Sequence, residues 1–294
     1  MPAVSVIIAC YNQEKYIAET LDSLLAQSMS DFEVIVVNDG STDGSLKIIE
    51  QYAPKFGNRL CIINQQNQGV VSARNNGVKK ALGEWIFALD SDDKIAPTCL
   101  EKLYNAALAG KGDVICPQIQ TFGERNEILY FEKPAPLNMC LSNQVCASAL
   151  YRKADFVKYG GYDTAFDDGL EDWDLWLNFV ADNKTFYRLD EVLLFYRILP
   201  QSRTTGIDKQ KKKQIRARLK KKYCQLYKKM ALKIFAYKLS RLIWQKKVRN
   251  GKLQIKFMKM PLLKIENTSN KTKFYLFNIL ILTLKKGIVS WPEK

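Results

Sequence analysis

Short apolar runs punctuate the first third of the chain, and each ends in a polar turn. Residues 4–9, 32–37, 60–63 and 85–89 are such runs, and each reads as a buried strand. Between them the apolar positions change period. Tyr16, Ile17, Thr20, Leu21, Leu24 and Leu25 recur at helical spacing, as do Leu46, Ile49 and Tyr52. Residues 69–81 read as a third helix, with Arg74 in its first half, and Leu100, Leu103, Tyr104 and Ala107 mark a fourth. Asn12 is placed to cap a helix beginning near Glu14, and Pro97 to stand in the first turn of the fourth helix. Strands alternating with helices predict βαβ units, hence an α/β protein with a mainly parallel sheet.

After Val114 the rhythm becomes mixed. Residues 119–122 and 127–131 flank Gly123 as a hairpin, Pro134 and Pro136 mark a loop, and residues 145–151 read as a strand. Gly160-Gly161 is a turn, residues 171–181 a helix and residues 192–196 a last strand. From 209 to 229 the chain is crowded with Lys and Arg, with Ile215, Leu219, Tyr223, Leu226 and Tyr227 between them at helical spacing. We expect a basic amphipathic helix there, continuing to Trp244. Lys256-Phe257-Met258 is echoed by Lys273-Phe274-Tyr275. Residues 274–284 are apolar but fall well short of the ~20 needed to span a bilayer, so we expect a strand or a surface-lying segment.

Charge divides the molecule. Residues 1–200 carry 18 Lys and Arg against 27 Asp and Glu, a balance of −9. Residues 201–294 carry 27 against 3, a balance of +24. This predicts an acidic globular part and a basic extension that meets something anionic. Met1-Pro2-Ala3 leads straight into a strand without a basic leader, so no secretory signal is expected. Seven cysteines form no C-x-x-C pair and mostly sit in apolar runs, which fits reduced core residues of a cytoplasmic protein. With no histidine in the chain, acid–base work falls to carboxylates, Lys, Tyr or Cys.

The densest chemistry lies where the strand at 85–89 ends in Asp90-Ser91-Asp92-Asp93. Three carboxylates so close repel one another, and one or more should have a raised pKa unless a cation neutralises them. Clustered Asp oxygens suit a hard divalent ion, Mg²⁺ or Mn²⁺, that also takes phosphate oxygens. An acidic helix cap is the plainer reading of the same residues. Their place at the carboxyl end of a strand favours the ion, because ligands of open α/β sheets bind there.

Five segments in order resemble the motifs of family 2 glycosyltransferases with the GT-A fold. They are Val4 through Asn12, Asn38-Asp39-Gly40-Ser41-Thr42-Asp43, Gly69 through Gly77, Leu89 through Asp93, and Glu171-Asp172-Trp173-Asp174. The resemblance covers roughly residues 3–205 and implies a domain, 1–205, with a Rossmann-like nucleotide-binding half (1–115) and a mixed acceptor half (116–205), which leaves 206–294 as the basic extension. It implies inverting transfer of a sugar from a nucleotide diphosphate to an acceptor hydroxyl, of the kind that builds bacterial surface glycans. Ala9 and Tyr11 would lie along the base and Asp39 would accept the uracil N–H. Arg74 would reach the nucleotide, and Asp90 and Ser91 the donor. Asp92 would hold the metal, with Asp93 helping through water, and Asp172 would be the general base with Glu171 beside it. Trp173 and Trp176 share a helical face and read as core. The family often has Arg-x-His after the last core strand; here Tyr196-Arg197-Ile198-Leu199 puts Leu199 in the place of that His, and Gln201, Ser202 or Arg203 are substitutes near the phosphates.

Three rivals remain on sequence grounds. A polyprenyl-phosphate sugar transferase would share the fold. A glycoside hydrolase would use paired carboxylates but not the Asp39 turn. A nucleic-acid-binding protein with a basic arm is opposed by the acidic first part, so no nucleic-acid partner is expected. The expected partners are a nucleotide-sugar donor, a glycan or lipid-linked acceptor, and the anionic inner face of a membrane, met peripherally by the extension.

Overall fold

A computed structural model describes residues 1–200, 209–249, 252–257, 263–267, 271–276 and 279–285. Gln201, Ser202 and Arg203 lie outside the described residues. The chain divides into two compact units, Met1–Ala231 and Leu232–Lys294. The first contains β1 (Val4–Cys10), α1 (Ile17–Leu25), β2 (Phe32–Asp39), α2 (Ser45–Phe56), β3 (Leu60–Gln65), α3 (Val70–Lys80), β4 (Trp85–Asp90), β5 (Lys94–Ile95) and α4 (Cys99–Leu108). There follow β6 (Val114–Gly123), β7 (Ile128–Leu129), α5 (Pro136–Leu141), β8 (Leu150–Arg152), α6 (Lys153–Lys158), α7 (Glu171–Ala181), β9 (Phe186–Ile198) and α8 (Lys209–Lys222). Helix α9 (Cys224–Ile243) begins in this unit.

One sheet runs in the order β3-β2-β1-β4-β8-β6-β9-β5, with β7 on β6. β3, β2, β1 and β4 are mutually parallel; β8 runs antiparallel to both β4 and β6, β6 and β9 are parallel, and β5 is antiparallel to β9. The apolar runs are continuous because both faces of β1 and β2 are covered. Val4, Val6 and Ile8 join a core with Ile17, Leu21 and Leu24 of α1 and with α2 and α4. The opposite face takes α3 so closely that a Cβ on Gly77 would stand 2.5 Å from Ile7 Cγ2 and 3.3 Å from Val37 Cγ2. Register sets Ala9 beside both Val37 and Asp90, so β1, β2 and β4 end at one level. That common edge carries the polar motifs.

Several local readings change. Asn12 does not cap α1, which starts after Tyr16; it takes a left-handed conformation (φ 52°) and its side chain accepts from Thr42 N at 2.8 Å. Pro136 opens a helix rather than a loop, since proline at a first helical position loses no bond the helix needs. Only Leu150–Arg152 of the segment 145–151 is a strand; Val145, Cys146, Ala147 and Ser148 instead line a cavity. The cysteines are free; Cys61 and Cys224 are exposed and not in the core.

The basic helix breaks at Tyr223, and its apolar stripe is occupied. Ile215, Leu219, Tyr223, Leu226 and Met230 are buried in the first unit. By packing, α8 therefore belongs with the globular part, although its charge grouped it with the extension. The second unit pairs β10 (Trp244–Arg249) with β11 (Lys252–Phe257) and sets β12 (Leu263–Asn267), β13 (Lys271–Leu276) and β14 (Ile279–Lys285) in an antiparallel sheet. The apolar stretch 274–284 is thus shared between two strands. Among the described residues, no helix is long and apolar enough to cross a membrane.

Candidate active site

A cleft of about 400 Å³ opens at the carboxyl edge of β1, β2 and β4, with Ala9, Tyr11, Asp39, Asp90, Ser91 and Asp92 among its walls. The first two loops over it are tied together. Asn12 N donates to Ser41 Oγ at 3.1 Å, Gln13 N to Ser45 Oγ at 2.7 Å, and Gly44 N to Glu14 Oε2 at 2.8 Å. Tyr11 is left 46% exposed on the rim, free to cover a flat ring.

Asp39 is buried at the end of β2. Its carboxylate accepts from Gln65 Nε2 at 2.7 Å, Gln68 N at 2.9 Å and Gly69 N at 2.9 Å. A carboxylate offers about four lone-pair sites, so Oδ2 retains capacity for one more N–H. Gly69 has φ +86°, and a Cβ there would fall 2.3 Å from Asp167 Oδ2, so this turn demands glycine. Asp167 reaches over from the segment before α7 and accepts from Val71 N at 3.2 Å, satisfying an orphan donor of α3 from a distance.

Arg74 rides on the inner face of α3 and is buried. Its Nη2 lies 2.5 Å from Asp90 Oδ1 and its Nη1 2.6 Å from Glu171 Oε1. It thus bridges the end of β4 and the start of α7, with the Tyr162 ring 5.6 Å from its guanidinium. Both carboxylates expected beside the donor and the acceptor are held by one cation. Burial, then the Asp90 charge, push the Asp92 carboxyl up to about 6. Asp93 lies behind it, buried, accepting from Arg197 N at 2.8 Å, with Oδ2 making no hydrogen bond among the described residues. Burial and its two Asp neighbours raise its pKa well above normal. The turn is pinned from below by Thr20 Oγ1, which donates to Asp93 O at 2.7 Å and Ser91 O at 3.0 Å.

The donor set fits a divalent cation. Acidic residues two apart on a cleft wall, one with a raised pKa and a third with an orphaned buried oxygen, carry more negative charge than their cations balance. Among the described residues no group of three or more His, Cys, Asp or Glu encloses an ion by itself. Such a site suits an ion held by one or two carboxylates together with phosphate oxygens.

A second cavity of about 240 Å³ shares Arg74, Asp90 and Tyr196 with the first. Ile119, Leu129, Phe131 and Leu194 give it apolar walls, and Asn143, Glu171 and Asp172 a polar end. Asp172 Oδ2 accepts from Asn143 Nδ2 at 2.8 Å, and Oδ1 from Trp173 N at 2.7 Å. Burial, then the neighbouring Glu171, raise its pKa to about 7. This is the range of a general base that works near neutral pH. Trp173 and Trp176 are core, donating to Met139 O at 2.7 Å and Val145 O at 3.0 Å.

Leu199 lines the first cleft with Tyr196, in the place where the resemblance puts a histidine. Sequence reasoning assigns no role to four residues here, two of which, Tyr196 and Arg197, it names only as flanking Leu199. Arg197 donates from Nε to Asp92 O at 2.8 Å and stacks between Phe122 (4.3 Å) and Tyr16 (4.7 Å). Asn143, Asp167 and Tyr196 sit in loops or on a strand whose partners are far away in the chain, and no local spacing marks them.

The sequence profile described as "Glycosyl transferase family 2" matches residues 5–158. EpsE of Bacillus subtilis is 32% identical over 202 residues, which cover 65% of this chain and 72% of EpsE. EpsH of the same organism is 43% identical over 128 residues, 44% of this chain and 37% of EpsH, so the chain spans little more than a third of that relative. The crystal structure of S. aureus TarS 1–349 in complex with UDP-GlcNAc is 25% identical with a TM-score of 0.61, over 71% of this chain and 62% of that one. The chain belongs to glycosyl transferase family 2. Its sheet and helices have the GT-A arrangement.

Proposed function

We propose that this protein transfers a sugar from a nucleotide diphosphate, a UDP-sugar, to a hydroxyl of a glycan or lipid-linked glycan, with inversion at the anomeric carbon. The observation that carries the reading is the pair of adjoining cavities that share Arg74, Asp90 and Tyr196. One holds Asp39 and Asp92, and the other holds Asp172. Asp39 takes the ring N–H of the base on its remaining lone pair, and Tyr11 covers the ring. The UDP-GlcNAc bound to TarS supports a uridine donor. Asp90, fixed by Arg74, orients the ribose or sugar.

Asp172 takes the proton of the acceptor hydroxyl as that oxygen bonds to the anomeric carbon. The bond from that carbon to the diphosphate oxygen breaks on the opposite face, and the electron pair leaves with the diphosphate. Asn143 holds the carboxylate in place. A divalent cation, Mg²⁺ or Mn²⁺, would be held by Asp92 and, through water, Asp93; when bound it would offset the charge on the diphosphate. The apolar walls around Asp172 exclude competing water.

The basic extension attaches the enzyme to the anionic inner face of a membrane, where lipid-linked acceptors for surface glycans lie. Screening nucleotide sugars for turnover and thermal stabilisation tests the reading. Stabilisation by UDP with metal and turnover of one UDP-sugar is the expected result. Indifference to every nucleotide sugar, with or without metal, is the result that defeats it.

A further inference from the structure

The chemistry above uses Asp172 but leaves a second buried carboxylate unexplained. Asp174 is fully buried two residues further along α7. Residues two apart on a helix project about 200° apart, so Asp172 faces the cavity while Asp174 faces away from it. There it meets α8. Lys222 Nζ lies 2.8 Å from Asp174 Oδ2 and 2.7 Å from Asp163 Oδ2, and Tyr223 Oη donates to Asp174 O at 2.8 Å and Oδ1 at 3.0 Å.

One turn earlier, Arg218 grips the same segment. Its Nη2 is 3.0 and 2.7 Å from the two Asp168 oxygens, and Nη1 donates to Ala165 O. Both cations stand over the Phe166 ring, at 5.3 and 5.4 Å. The gripped segment, 163–174, carries Asp167 on the α3 terminus, Gly169 and Leu170 in the cavity wall, and Glu171-Asp172. Leu170 has φ +65°, a left-handed conformation that persists in a non-glycine residue only where its surroundings hold it.

We propose that Lys222 and Arg218 are positioning residues, which clamp 163–174 from behind so that Asp172 is presented to the acceptor. The proposal rests on the reading of Asp172 as the base. It gives α8 a role in the reaction although no residue of α8 lines either cavity. A buried carboxylate with its cation removed either protonates or moves toward water, and here either change is transmitted through the first turn of α7.

The test uses the full chain and Lys222→Met. The expected result is a fall of tenfold or more in kcat with the donor KM unchanged, and recovery of most of the rate in Lys222→Arg. The pH midpoint of kcat should move down toward the ordinary carboxylate range, as water reaches Asp172 among Glu171, Arg74, Tyr162 and Cys146. Asp168→Asn loosens the exposed end of the clamp without burying a charge. It serves if Lys222→Met does not fold, with a several-fold loss in kcat alone. Hydrogen exchange over 163–174 reports the clamp independently of turnover and should quicken in both variants. Unchanged exchange, kcat and pH midpoint in folded variants overturn the proposal. So does a parallel loss of kcat and donor affinity that Lys222→Arg does not rescue. If Asp172→Asn keeps the wild-type rate, the base assignment falls, and the exchange result still decides whether the clamp exists.

Discussion

Asp172 concentrates the argument at the scale of single residues. A carboxylate must be ionised to take a proton, and burial beside Glu171 sets this one near 7. The kcat profile should therefore fall below about pH 7 and level off above it, with Glu171, Arg74, Tyr162 and Cys146 as the titratable groups around the carboxylate. Asp172→Asn should lose roughly 10²–10⁴-fold in kcat while keeping nucleotide affinity, because a general base acts on the acceptor and not the donor. Loss of donor binding with the chemical step intact would reassign the residue. Stability follows with the opposite sense. Asp92 and Asp172 have folded pKa values raised to about 6 and 7, so the stability they contribute is full below their unfolded values and is lost as pH rises through 6 to 7. With divalent ions chelated, the Tm should drop between pH 5 and pH 8, and Asp92→Asn should flatten that drop. The same variant should lose roughly 100-fold or more in transfer, since a cation at a departing diphosphate is worth several kcal/mol. Near-native transfer by Asp92→Asn in EDTA would remove the metal from the scheme.

At the scale of elements, what was legible in the sequence is what had a period. β1, β2 and β4 and the four helices α1 to α4 could be read because each buries an apolar run or a helical stripe against one face of the sheet or the other; β3, at the sheet edge, has an apolar run that is only partly covered. The family resemblance puts Asp39, Asp90 and Asp92 at one nucleotide site, and strand order and parallel register bring them to one cleft in the structure. The segment 145–151 was misread because apolar residues around a cavity have the composition of a buried strand. The Arg74 bridge was also illegible: Glu171 and Asp90 lie far from it in the chain, and only the fold makes them neighbours. Gly77 belongs to the same helix, and its reason is close packing rather than flexibility. Gly77→Ala gains about 1 kcal/mol of helix propensity but sets a methyl 2.5 Å from a branched side chain inside a packed sheet. Overpacking of that kind costs roughly 1–3 kcal/mol, so a net loss of the order of 1 kcal/mol is expected in urea denaturation, with Arg74 displaced and donor affinity reduced. A stabilised variant would mean that α3 can lift from β1 without strain.

For the whole molecule, the division by packing redraws the division by charge. Residues 1–231 carry 30 Lys and Arg against 28 Asp and Glu, and residues 232–294 carry 15 against 2. The balances are +2 and +13, in place of −9 and +24 across the boundary at 200/201. Part of the positive charge of α8 is met by Asp163, Asp168 and Asp174, and Tyr223, Leu226 and Tyr227, the apolar stripe expected of the basic helix, pack on the first unit. What α8 offers to a membrane is its exposed lysines, including Lys212, Lys213, Lys220 and Lys221; in the second unit Leu232 and Phe235 are exposed. Each basic residue near an anionic surface contributes about 1 kcal/mol, so under the proposed membrane role these lysines and the +13 of the second unit would be enough for reversible attachment. The full chain should sediment with phosphatidylserine-containing vesicles at low salt and be released as salt rises, because attraction through water is screened within ~10 Å at 0.1 M. A chain ending at Ala231 keeps α8 and its contacts with α7, which a cut near 205 would destroy. It should therefore retain the exposed lysines and bind more weakly than the full chain. Equal binding by the two would locate attachment on the catalytic unit, and a full chain left in the supernatant at low salt would show that the positive charge serves a partner other than lipid.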